Sequence, residues 1–220
     1  MSNFRIVFDH VQRDIYIVDN TYVRSVLNNY KQILISIEDS RSEICEDIEY
    51  LKEKCTAEQT VAIGSKRIED TLTSRTNTVS DPVCKSAERI EHYRNRIYAQ
   101  MANLAYYDEV EDRVRGIRNI YTKMSLIFPL HYRIVYETFV CHRPQDEVRL
   151  KLRYAKMTIK TMQDNLVQII TDVSNMHKPI EDINRMPPDV LMKEIKQLNV
   201  EIYNKMRKIE EESEKNDNWN

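Results

Sequence analysis

From Val23 to Cys55 the apolar positions fall in alternating four- and three-residue steps. Val23, Leu27, Tyr30, Leu34, Ile37, Ile44, Ile48, Leu51 and Cys55 hold this register, and Arg41 fills the one gap. Such a sustained heptad pattern predicts a long coiled-coil-like helix. Asn20 or Thr21 is placed to cap its start. A seam this narrow has to pair, in an antiparallel hairpin within the chain or in a dimer. Arg41 in the seam has to reach water or meet an acid. Ahead of it, Phe4 to Phe8 and Ile15 to Val18 are short β-favouring runs, readable as a short β-hairpin or as the lead-in to a helix.

The pattern lapses after Thr56. Gly64, a Ser/Thr/Asn cluster from Thr71 to Ser80, and Pro82 mark a linker. Ser80 or Asp81 can cap a new helix with Pro82 in its first turn. Val83, Ala87, Ile90, Ile97, Met101 and Leu104 repeat the heptad-like steps with Arg94 in the gap. Val110, Val114, Ile117, Tyr121 and Met124 then start a fresh register, as one bent helix or two. A basic face at Arg113, Arg115, Arg118 and Lys123 accompanies it, as solvated charge or as phosphate contacts.

The stretch from Phe128 to Ile170 breaks into three short periods. Leu130, Ile134, Val135 and Phe139 predict one helix. Pro144 can open a second, about Gln145 to Leu152, with Asp146 and Glu147 in the first turn where the helix dipole favours carboxylates. Arg153 to Lys156 make a tight connection, and a third helix starts near Met157. Two helices across so short a turn read as a helix-turn-helix. Val148, Leu152, Ile159, Met162 and Leu166 would face inward. The solvent side of the third helix would carry Lys156, Thr158, Lys160, Thr161, Gln163 and Asn165, side-chain types that read base edges and hold phosphates. Arg143, Arg149, Lys151 and Arg153 would add phosphate contacts. An amphipathic helix pair with no ligand would show the same pattern.

Lys178-Pro179 ends the third helix. Residues 180–186 read as a connector, and Pro187-Pro188 precedes a last helix with a seam of Leu191, Ile195, Leu198, Ile202, Met206 and Ile209. From Glu210 the chain is charged and polar, a tail expected to fray. The domain reading is therefore 1–60 coiled-coil region, 61–79 linker, 80–178 helical domain with the motif at about 128–172, 187–212 terminal helix and 213–220 tail.

Composition narrows the chemistry. Among 220 residues there are two glycines, Gly64 and Gly116, and neither lies in a phosphate-loop or dinucleotide pattern. Few Gly and Pro with 31% charged residues point to an all-α protein. Cys45, Cys55, Cys84 and Cys141 lack metal-ligand spacing, so no zinc site or other cofactor is expected. Cys141-His142 is the one adjacent Cys/His pair; nucleophilic catalysis needs a base held in space by a third group, which a sequence does not display, and the chain is read as non-enzymatic. No secretory signal opens it, and no apolar run approaches the ~20 residues of a spanning helix. Net charge is −2, so any polyanion site has to be local. Six basic and two acidic residues lie between His142 and Met162, a local excess of four positive charges.

The segment Gln145 to Met162 resembles the last helix-turn-helix of sigma factors (region 4). It is more similar to the version in small phage transcriptional regulators of the ArpU/RinA type. Asp146, Glu147, Val148, Leu152, Tyr154, Thr158 and Ile159 match that pattern, and the weaker likeness extends from about Thr73 to Ile170. Arg153 stands where the turn usually has Gly, Arg149 where a small residue is usual, and Ala155 where a Ser cap is usual. The resemblance implies a late-gene regulator acting on double-stranded DNA in the cytoplasm of a bacterial host. Its N-terminal helices would dimerise or touch RNA polymerase. The competing expectation is a helical phage protein that binds a host protein.

Overall fold

The computed structural model describes residues 18–69, 82–176, 178 and 180–217. The short β-runs before Val18, the Thr71–Ser80 cluster and the Ser80/Asp81 cap lie outside them. The described residues are all-α. In chain order they form α1 (Asn20–Glu69), α2 (Pro82–Ile127), α3 (Pro129–Val135), a π-helical turn (Tyr136–Val140), α4 (Gln145–Leu152), α5 (Lys156–Ser174), α6 (Ile180–Arg185), α7 (Pro188–Leu198) and α8 (Val200–Asp217). The chain divides into two compact units: a body of Met1–Leu34 with Val110–Asn220, and a hairpin of Ile35–Glu109.

The hairpin is an antiparallel helix pair, the within-chain solution to the heptad seam. Its register is set by Arg41 against Asp108, Gln100 against Asp47 at 2.6 Å, and Arg89 against Glu58 at 3.0 Å. Ile37, Ile48, Leu51 and Cys55 of α1 are buried. On α2 the inward line runs through Ser86, Ile90, Tyr93, Ile97, Gln100 and Leu104, one position off the expected Ala87, Arg94 and Met101. Met101 is therefore exposed. Polar anchors make this rotation favourable: Ser86 Oγ donates to Glu58 and the Gln100 amide to Asp47. α1 continues through residues 61–69, where a linker was expected. Each residue added to an existing helix closes one more hydrogen bond, so a single Gly64 at a cost of about 1 kcal/mol does not end it.

The body is built around α5. Ile159, Met162, Leu166, Val167, Ile169, Ile170 and Val173 are all buried. The start of α1 lies along the C-terminal half of α5. Val18 and Asn175 exchange two hydrogen bonds, of 2.8 and 2.7 Å, and Asn20 bonds both Gln168 and Thr171. The cap of α1 is Asp19, whose carboxylate accepts from Tyr22 N at 2.6 Å; Asn20, one of the two expected caps, is occupied by α5. α1 bends at Asn29, which leaves helical geometry at φ −125° and ψ 21°.

α2 is one continuous helix, with Val110, Val114, Ile117, Tyr121 and Met124 buried in the body. Its Lys123 donates to three carbonyls, of Ile183, Asn184 and Met186, at 2.6 to 2.8 Å. Burial of that ammonium holds its pKa below the ordinary lysine range. These bonds satisfy the end of α6, a short helix in the stretch expected to be a connector.

The last helix is two. Asn199 at φ −148° and ψ 76° separates α7 from α8, so the seam restarts and Leu198 is left exposed. α8 continues into the expected tail as far as Asp217, and Glu210 is buried rather than frayed. Its carboxylate accepts from the backbone N–H of Leu130 and of His131, both at 3.1 Å, and lies 2.7 Å from His131 Nδ1. One acid on α8 thereby satisfies the amino end of α3, where free N–H groups would otherwise be orphaned.

Candidate nucleic-acid interface

The segment picked out by sequence folds as α3, the π turn, α4 and α5 around a small core. Ile134, Val148, Ile159 and Met162 are fully buried, with Leu130, Leu152, Tyr154 and Ile209 packed on them. The inward residues expected of α4 and α5 are these, with Leu166 also buried. α4 and α5 are joined by Arg153, Tyr154 and Ala155. Arg153 takes the left-handed conformation at φ 57° and ψ 30°. That is the geometry a glycine would supply, held here by an arginine at a cost of about 1 kcal/mol. Ala155 precedes α5 without a side-chain cap.

The site residues expected on the turn and on α5 differ in exposure. Lys156, Lys160 and Thr161 are exposed on the first two turns of α5, beside an exposed Met157, and Arg153 is exposed in the turn. Thr158 and Asn165 are half-buried. Gln163, expected on the solvent side, is 1% exposed. Its amide donates to Thr138 Oγ at 2.7 Å and its carbonyl accepts from Gln145 at 2.9 Å. The π turn brings Thr138 over this face of α5, so Gln163 is a satisfied core amide and is withdrawn as a base reader.

Arg143 and Lys151, expected on phosphate, converge on the nearly buried Glu137. Lys151 Nζ lies 2.5 Å from Glu137 Oε1 and Arg143 Nε 3.1 Å from Oε2. The hydrogen bond from Lys151, with the charges of Arg143 and Lys151, holds the Glu137 carboxyl below its ordinary range against the opposing effect of burial. Arg149 and Lys156 lie 3.9 and 3.6 Å from the exposed Asp146, distances that leave them loosely paired. Arg153 and Lys160 have no acidic partner among the described residues. The exposed positive charge thus narrows to the turn and the start of α5.

Beside it is a polar cleft of about 530 Å³, lined by Lys160, Gln163 and Asn165 with Asn20, Arg24 and Gln168. Arg24 spans it to Asp164 at 2.5 Å and lies over the Phe139 ring at 5.7 Å. Cys141 has the Tyr136 hydroxyl as its neighbour, and that contact raises the tyrosine pKa. Among the described residues no group of three or more His, Cys, Asp or Glu could hold a metal ion, and no helix is long and apolar enough to cross a membrane.

Sequence reasoning missed Glu137 and Glu210. A helical step of four from buried Met206 reaches Glu210, so the register pointed inward and its charge argued outward. Glu137 carried no such signal, because only the π turn directs it toward Lys151. No family model, curated protein or solved structure matches this chain.

Proposed function

We propose that the protein binds double-stranded DNA, with the first two turns of α5 entering the major groove as in a helix-turn-helix regulator. The observation that supports this reading is the division of α5. Lys156 to Thr161 leaves Lys156, Met157, Lys160 and Thr161 exposed, whereas from Met162 to Ser174 every residue is buried or half-buried. Helix-turn-helix proteins read bases with the amino-terminal residues of the second helix, so a helix whose fully exposed residues lie in its first two turns suits the task. Lys156 and Lys160 contact phosphate or base edges, Thr161 contacts base edges, and Arg153 and Arg149 contact phosphate. The resemblance to phage late-gene regulators gives the role, control of transcription without catalysis.

The test is a mobility-shift and salt-titration series on the DNA flanking the gene. Lys156→Ala with Lys160→Ala is expected to weaken binding across sequences and lower the salt slope by about two units. An unchanged slope removes the assignment. A second reading rests on Leu150 and Met157, which are 70% and 74% exposed on either side of the turn. Two large apolar side chains left in solvent at the turn would suit a protein partner. Leu150→Asp abolishing capture of a host protein while DNA binding is absent would decide for it.

A further inference from the structure

The basic face of α2 is not uniform. Arg115 is bound to Glu111 at 2.6 Å, and Lys123 is enclosed by the three carbonyls at α6. Arg118 differs. Its guanidinium carbon lies over Tyr30 and Tyr121, at 5.4 and 5.1 Å from the ring centroids, and it has no carboxylate partner among the described residues. Stacking of this sort occupies the faces of the guanidinium and leaves its N–H edge free.

Arg118 borders a cavity of about 150 Å³ whose lining includes Lys31, Asn28 and Gln32 of α1 and His142 beyond the π turn. No Asp or Glu lines it. Lys31 and His142 likewise lack an acidic partner among the described residues. Three elements therefore bring an arginine, a lysine and a histidine to one small hollow without a counter-charge. His142 reaches it from a left-handed backbone at φ 52°, a conformation uncommon outside glycine.

We propose that this hollow is a binding site for a phosphoryl group. A carboxylate would use two of the converging donors. A phosphoryl group presents three or four oxygens, and the guanidinium edge, the ammonium, the imidazole and the two amides match it better. The volume corresponds to about five waters at liquid density, enough for a phosphoryl group alone. The group is either a backbone phosphate of bound DNA or part of a free phosphorylated compound. The proposal does not rest on DNA binding by α5.

The experiment uses the full chain at low salt. Inorganic phosphate and a sixteen-base-pair duplex are titrated separately, and the side-chain resonances of Arg118 and His142 are followed by NMR. Chloride at equal ionic strength is the control. Saturable shifts with inorganic phosphate, weakened about tenfold by Lys31→Gln and by Arg118→Gln, support the site. If the phosphate belongs to DNA, the duplex moves the same resonances, and each variant lowers its salt slope by about one. If it belongs to a free compound, inorganic phosphate moves them and the duplex does not. His142→Gln and Lys31→Gln alter exposed residues, so loss of folding does not obscure the result. Non-saturable shifts equal to those of chloride, or no response to either probe, overturn the proposal. The Lys156→Ala/Lys160→Ala protein still binds inorganic phosphate here, which keeps failure of this site separate from failure of the α5 interface.

Discussion

The body and the hairpin use charge in opposite ways. In the body, Glu137 and Glu210 are buried: Glu210 accepts from three specific donors, and Glu137 takes a hydrogen bond from Lys151 on one oxygen and the Arg143 ion pair on the other. In the hairpin, Arg41–Asp108, Arg89–Glu58 and Arg96–Asp47 lie along the flanks of the seam, partly or fully in water. A buried acid is costly to strand, whereas a flanking pair is worth little. The body is thus specified by a few polar contacts inside it. The hairpin is specified by a repeating apolar seam, and its ion pairs only choose the rotation.

Three perturbations would sharpen or break this contrast. Glu210→Ala should have the largest effect. It orphans two backbone N–H groups and the His131 ring, and should destabilise the body by about 3–5 kcal/mol. Hydrogen exchange would show protection lost in α3 and α5 and kept in residues 37–55. Equal loss in both regions would end the distinction.

The Glu137 pair comes next. Its carboxyl titrates below the ordinary 4.5 in the folded protein, so its stabilising effect is complete above that pH and is lost as pH falls through the depressed folded value. Lys151→Met should cost about 1–2 kcal/mol at neutral pH and flatten the acid limb of a urea-midpoint profile. A variant with an unaltered acid limb would show that Lys151 does not hold this carboxylate.

Arg41→Leu should have the smallest effect. It replaces a flanking pair by an apolar heptad residue and should change hairpin stability by no more than about 1 kcal/mol in either direction. A loss of several kcal/mol would mean that Arg41 has an internal role like that of the body's acids.

Much of the fold was legible because periodicity reports burial directly. The heptad steps of α1 and the inward set Val148, Ile159, Met162 and Leu166 follow from helical geometry alone. The errors have a common physical origin. Gln163 was placed on the solvent side of its helix, and Lys151 and Arg143 on phosphate, because polar groups usually face outward, yet each has a partner supplied by the π turn. A π turn shifts the facing of every later side chain, and nothing in the apolar spacing announces it. Glu210 was read as part of the tail, and Asp19 was passed over for Asn20 or Thr21 as the cap, for a similar reason. Their roles depend on backbone N–H groups at helix starts, and those groups leave no trace in residue patterns.

The lacing of Val18, Asn20 and Arg24 to Asn175, Thr171 and Asp164 spans 140 to 157 positions of chain. On a ribosome, the first helical turns must wait until α5 has emerged before they can dock. The hairpin needs only its own two halves and can zip up well before then. Topology therefore dictates an order of assembly, with the late, long-range closure as the slow step and Tyr22, Val23 and Val26 awaiting their neighbours in the interim.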